Sequence, residues 1–320
     1  MKNTFFPLLM VLLLVFSAER TTAQNNSGLQ FLSIGPNAFS LSLSEAHTAV
    51  PIGSAAIFTN PANLMLNSRS SLGASHTLWI GDTQHTQASA SIRRVNDAFG
   101  FGFLTSGIDD ITVRNTPGPS EGSFDVRYLA VSAAYARQFG IFSAGITASY
   151  IYEQFFQSNA SGYGFNMGIT ATLLDERLRI GTSLNNIGEM GELVNQRSEL
   201  PTVLRAGIDL NAIQFSAFSG TEIPVLINFS ADFVAPLNED NLTGEGTLIQ
   251  SGDYFAFGVN AQLYDMISIR GGYRTGNTAR NWSLGAGISI DPVMFNYAFV
   301  PFETGFGSVH SISLVYFFDF

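Results

Sequence analysis

The stretch Ser311-Ile312-Ser313-Leu314-Val315-Tyr316-Phe317-Phe318-Asp319-Phe320 decides how the chain is read. Side chains of an extended strand alternate faces with period two. Ile312, Leu314, Tyr316, Phe318 and Phe320 therefore share one face, and Ser311, Ser313 and Asp319 the other, with Val315 and Phe317 as exceptions. One face is a continuous aromatic and aliphatic band. Two readings compete: the closing strand of a membrane β-barrel, its band against lipid, and the last strand of a soluble sandwich, its band under another layer. One alternating segment does not separate them, because the barrel signal is weak per strand.

Composition narrows the choice. Of 320 residues 46% are hydrophobic and only 12% charged, with 31 glycines and 28 phenylalanines. Yet no stretch reaches the roughly 20 apolar residues of a spanning helix. Apolar surface is delivered in short pieces, as alternating strands deliver it, and disorder is excluded. Cysteine is absent, which removes disulfides and thiolate chemistry. The net charge of −10, with no lysine after Lys2, is not that of a nucleic-acid binder.

The first residues read as an export signal. Lys2 precedes an apolar run from Phe5 to Phe16, and Thr21 and Ala23 stand three and one before a cut after Ala23. Residues 24–69 lack strand alternation and carry turn signals at Ser27-Gly28 and Gly35-Pro36-Asn37. Asn60-Pro61-Ala62 marks a helix start or turn. This region is expected to form a compact plug with short helices, and Asn60, Pro61 and Ala62 to hold it against the barrel wall or to form part of a gating route.

Alternation then recurs through residues 70–320 in about fourteen segments. In one, Tyr163, Phe165, Met167, Ile169, Ala171 and Leu173 oppose Gly164, Asn166, Gly168, Thr170 and Thr172. An even strand number suits a bacterial single-chain barrel, which alternates short periplasmic turns with longer external loops. Short links fall at 94–97, 139–140, 175–177, 264–266 and 291–292, and longer ones at 107–124, 154–160, 187–200, 235–253 and 274–281. Two links break the rule: Gly81-Asp82 is short and 212–222 long. A soluble sandwich predicts no such alternation. The expected fold is all-β: a transmembrane antiparallel barrel of about 14 strands behind an N-terminal plug, the last strand pairing with the first.

Polar residues assigned to inward faces include Arg137, Arg179, Arg205, Asp209, Asn228, Asp232, Asn260, Gln262 and Arg270. Arg205, Asp209, Asp232 and Arg270 are expected to form a polar network in the lumen, pairing with one another and with the plug or serving a polar solute. Tyr150, Tyr152, Phe155, Phe156, Trp79, Trp282 and Phe299, near strand ends, read as interfacial girdles.

Several motifs resemble the PorV/PorQ outer-membrane proteins, whose fold is related to that of the fatty-acid transporter FadL. They are Asn60-Pro61-Ala62, Asn185-Asn186-Ile187-Gly188, Leu200-Pro201 through Leu204-Arg205-Ala206-Gly207, Arg270-Gly271-Gly272-Tyr273 and His310-Ser311-Ile312-Ser313-Leu314. Asn63 stands where the family usually has glycine, and residues 40–44 lack its usual Met-Gly-Gly. The resemblance implies a fourteen-stranded, FadL-like barrel in the outer membrane of a Gram-negative, Bacteroidota-like cell. It implies a part in type IX secretion or surface attachment, with secretion components or cargo C-terminal domains as partners beside outer-membrane lipid. The alternative is a FadL-like channel for hydrophobic small molecules. The terminal aromatics Tyr316, Phe318 and Phe320 resemble the signal that assembly machinery reads.

No catalytic constellation emerges. His47, His76, His85 and His310 lack metal-ligand spacing, although His76 and His85 fall on neighbouring strands. No serine is singled out by a histidine and an orienting group. Asn238-Glu239-Asp240-Asn241 does not have the spacing of a calcium loop. A non-enzymatic protein without cofactor or metal is expected.

Overall fold

The computed structural model describes residues 29–113, 122–193, 197–217, 223–238, 252–276, 279–303, 305 and 307–320. Residues 1–28, which hold the expected export signal, lie outside them, as do 239–251. Fourteen antiparallel strands close into a barrel. They are β1 (Ser70–Leu78), β2 (Gln84–Arg93), β3 (Asp97–Val113), β4 (Gly122–Phe139), β5 (Phe142–Phe155), β6 (Ser158–Leu173) and β7 (Leu178–Met190). The circuit continues with β8 (Val203–Ala217), β9 (Ile223–Pro236), β10 (Tyr254–Leu263), β11 (Ile267–Arg274), β12 (Trp282–Ile290), β13 (Val293–Pro301) and β14 (Ser308–Phe318). β14 pairs with β1 from Phe318 opposite Ser70 to His310 opposite Leu78, so neither sheet edge is left open.

Alternation decides which residues face out. Ile312, Leu314 and Tyr316 are exposed on β14, as are Phe99, Phe101 and Phe103 on β3 and Tyr163, Phe165, Met167 and Ile169 on β6. Apolar exposure on this scale marks a surface built for a hydrophobic surrounding. The opposite faces carry small or polar residues such as Ala98, Ala134, Ala136, Ser311 and Ser313, all buried. Val315 and Phe317 break the pattern because they line a cavity inside the barrel. Phe318 stacks on Tyr316 with ring centroids 6.3 Å apart. Phe320 lies beyond β14 and is exposed.

Three expectations need correction. Arg137 faces outward, in step with Val131 and Tyr135, and pairs with Asp97 at 3.5 Å near a short turn, where its exposed head escapes the apolar band. The expected long link at 154–160 is a tight turn, since β5 and β6 stay paired out to Phe155 and Ser158 and Phe156 takes a left-handed φ of 54°. The long link at 212–222 shrinks because β8 runs on to Ala217.

Residues 29–66 lie within the barrel as short helical pieces: 3-10 turns at Gln30–Ser33, Gly53–Phe58 and Pro61–Met65, and one α-turn, α1 (Ala38–Ser42). Asn37 caps α1 by accepting from the Ser40 N–H at 2.9 Å. Asn60 caps the last piece, its Oδ1 accepting from the Ala62 N–H at 3.1 Å, with Pro61 at the first helical position. Ile57 and Leu64 pack in one core with Ala98, Ala134 and Ala136 of the wall. Close approach demands glycine at several wall positions, two of them beside Asn60-Pro61-Ala62. A Cβ at Gly145 would strike the Pro61–Ala62 backbone, and one at Gly168 the Asn60 side chain.

Candidate functional site: the barrel interior

The inner segment is fastened to the wall by polar contacts at several places. Asn60 Nδ2 donates to the Thr48 carbonyl at 2.8 Å and to Thr170 Oγ1 of β6 at 3.0 Å. Asn63 Nδ2 donates to the Thr48 and Val50 carbonyls, and its Oδ1 accepts from Thr170 Oγ1 at 2.7 Å. Both polar atoms of the Asn63 side chain are thus engaged. Thr147 Oγ1 of β5 donates to the Ile57 carbonyl at 2.9 Å. Ser283 Oγ of β12 accepts from the Ser44 N–H at 2.9 Å.

The strongest fastening is a cluster of buried charge. Glu45 follows α1, and its carboxylate meets Arg274 of β11 and, at 3.4 Å, Arg280 from the β11–β12 link. Its Oε1 also accepts from the Gly35 N–H at 3.0 Å. Arg205 of β8 donates to the Glu45 carbonyl at 3.1 Å and stands 3.8 Å from Asp232 of β9. Asp232 in turn accepts from the His47 N–H at 3.0 Å, the Thr48 N–H at 2.9 Å and Thr48 Oγ1 at 2.6 Å. The segment's acid grips arginines of the wall, and the wall's acid grips amides of the segment. Burial opposes ionisation of Glu45, but Arg274, Arg280, Arg205 and the Gly35 N–H outweigh it and hold the carboxyl well below the usual carboxylate range. Burial, reinforced by Arg205, pushes His47 down to about 3, so this imidazole is neutral.

The residues singled out from sequence fall in separate places. Arg205 and Asp232 belong to the Glu45 cluster. Asp209 instead pairs with Arg179 at 2.8 Å. Arg205 and Asp209 are not partners, because four residues along a strand span about 13 Å. Arg270 bonds to neutral groups, Asn296 at 2.7 Å and Ser268 at 2.5 Å, and its guanidinium lies 4.4 Å from the Phe39 ring of α1. His76 sits directly opposite Thr86, which sends His85 to the other side of the wall. The two histidines share no site, and no group of metal ligands forms among the described residues. Trp79 is no lipid-facing girdle; it turns toward Phe302 and His85, with ring centroids 5.9 and 5.5 Å away.

Sequence reasoning missed Glu45. Its signal was available: it is the only acidic residue between Gln24 and Gly81, and a solitary carboxylate in a small apolar segment needs a partner when buried.

Two cavities flank the segment. The one toward the long links is about 370 Å³, walled by Phe31, Trp79, His85, Tyr254 and Phe302 with Arg205, Arg274 and Arg280. The one toward the short turns is about 290 Å³, with Phe39, Leu43, Ile52 and Val315 on one part of its wall and Asn211, Asn228, Asn260 and Gln262 on another. The charge cluster lies between: Arg205 and Arg274 reach the first cavity, while Glu45 does not.

No protein-family model and no curated protein matches the chain. Solved structures do. The CymD monoaromatic hydrocarbon channel superposes with a TM-score of 0.60 at 15% identity, over 89% of this chain and 98% of that one. The P. putida toluene transporter TodX does so with 0.55 at 12% identity, over 90% and 98%. The likeness is one of fold.

Proposed function

We propose that the protein is an outer-membrane channel for small hydrophobic molecules, and that residues 29–66 act as its plug. The observation that carries this reading is the pair of cavities on either side of the segment, the first walled by aromatic rings. Ligand sites are typically concavities of about 300–1,000 Å³ with apolar walls and a few placed polar groups. The exposed apolar band suits a lipid surrounding. The fold is shared over nearly the whole chain with two proteins named as a hydrocarbon channel and a toluene transporter. Both are transport proteins rather than enzymes, which favours uptake over catalysis. Their fold also favours the channel over the secretion reading. A role in type IX secretion, with machinery components or cargo domains as partners, rests on motif resemblance alone.

Uptake tests the proposal. Cells lacking the gene should take up at least one member of a panel of single-ring aromatics, neutral and acidic, more slowly at low external concentration, and the wild-type gene should restore the rate. Unchanged uptake of the whole panel refutes the channel. If deletion instead strands secreted cargo in the periplasm, the secretion reading replaces it.

A further inference from the structure

The two cavities differ in chemistry, and the difference bears on what passes through them. The cavity toward the long links is walled by three arginines and, among its described lining residues, by no carboxylate. Glu45 approaches those arginines from the side away from the cavity, where it shares a small void with Arg274 and Arg280. Trp79 lines the same cavity. The Arg280 guanidinium lies 5.1 Å from its ring centroid, and Phe302 meets it edge-on. Beside them stands His85, only 7% exposed, with no hydrogen-bond partner on either ring nitrogen among the described residues. Leaving a buried polar group unsatisfied is costly, and a ligand that bonds to it removes that cost.

The cavity toward the short turns is lined by amides and by the Arg179–Asp209 ion pair. Asn211, Asn228, Asn260, Asn296 and Gln262 reach it, and both Asn260 Oδ1 and Asn296 Nδ2 lack partners. A plain hydrocarbon would strip water from these groups and return no hydrogen bond. A molecule with an apolar ring and an anionic acceptor suits the arginine-walled chamber, and the second chamber offers its acceptor the Asn296 Nδ2 donor.

We propose that the substrate is an aromatic carboxylate: a single ring held against Trp79 and Phe302, its carboxylate turned to Arg280, Arg205 and an N–H of His85. Planar guanidinium groups match carboxylate geometry, and charge-assisted bonds of this kind are roughly twice as strong as neutral ones. The inference rests on the channel reading above and narrows it.

The chain itself supplies the reporter. It has two tryptophans, and Trp282 faces outward, so Trp282→Phe leaves Trp79 as the single tryptophan, excited apart from the tyrosines at the red edge of its absorption. Benzoate titrated into the full-length, detergent-purified barrel should change Trp79 emission saturably, and toluene should bind at least about tenfold more weakly. Adding Arg280→Gln should lower the ratio of benzoate to toluene affinity about tenfold, the scale of one charge-assisted bond. Should Arg280→Gln fail to give the heat-modifiable band of a folded barrel, His85→Leu makes the same comparison, with the ratio of benzoate to toluene affinity several-fold lower. Toluene binding as tightly as benzoate, or a ratio of affinities indifferent to the substitution, overturns the carboxylate and leaves the channel standing. Saturable binding of neither ligand sinks both.

Discussion

Glu45→Gln removes one negative charge from the centre of the barrel and almost no volume. Arg274 and Arg205, whose side chains are 3% and 5% exposed, and Arg280, at 14%, then lose the carboxylate they share, while Asp232 stays beside Arg205 at 3.8 Å. Removing one partner of a buried ion pair costs about 3–5 kcal/mol. The glutamine carbonyl still accepts from Gly35 or an arginine, which places the loss at about 3 kcal/mol. At roughly 1.4 kcal/mol per factor of ten, the population with the segment detached rises about a hundredfold. The barrel should survive, since its closed ladder does not involve Glu45. Hydrogen exchange followed by mass spectrometry reads the effect on peptides spanning residues 38–50, where the His47 and Thr48 amides bond to Asp232. Exchange there should quicken about a hundredfold while the β3–β4 and β8–β9 ladders stay protected. Exchange within about threefold of wild type, in a barrel shown to be folded, would mean that the charge cluster does not hold the segment.

The neighbouring His47 gives the hold a pH dependence. Its folded pKa, about 3, is depressed from an ordinary 6.5, so its contribution is complete above 6.5 and is lost as pH falls toward 3, by roughly 1.4 kcal/mol per unit. Segment exchange at pH 5 should therefore exceed that at pH 7 after correction for intrinsic rates, and His47→Asn should flatten the profile; a flat wild-type profile contradicts this. Gly168→Leu drives a side chain into Asn60 and should leave the barrel assembled with the segment displaced, seen as rapid proteolysis near residue 60 and raised conductance in planar bilayers; wild-type values for both would count against the close packing. Asn63→Gly removes hydrogen bonds to Thr48, Val50 and Thr170 and should weaken segment retention by about 1–3 kcal/mol, read by the same exchange experiment, with no change of rate arguing that these bonds contribute nothing net.

What the sequence determined by itself is the barrel. Period-two alternation is a local property of extended chain, so Tyr163 to Ile169 or Ile312 to Tyr316 announce their lipid face without knowledge of any partner. Short links such as Asp291-Pro292 set the hairpins, and the fourteen strands lie close to where alternation put them. Boundaries were less legible, because β5 and β6 prolong their pairing through cross-strand contacts that local pattern does not encode. Only the tertiary structure decided what the lumen does. The arginine partners of Glu45 come from β8, β11 and the link after it, more than 150 residues away in sequence. Whether Arg205 meets Asp209 or Glu45, and whether His85 faces lipid or a cavity, depends on strand register and on what fills the barrel. Desolvation and charge pairing act between groups that only closure of the barrel brings together, and for that reason the site had to be seen in three dimensions.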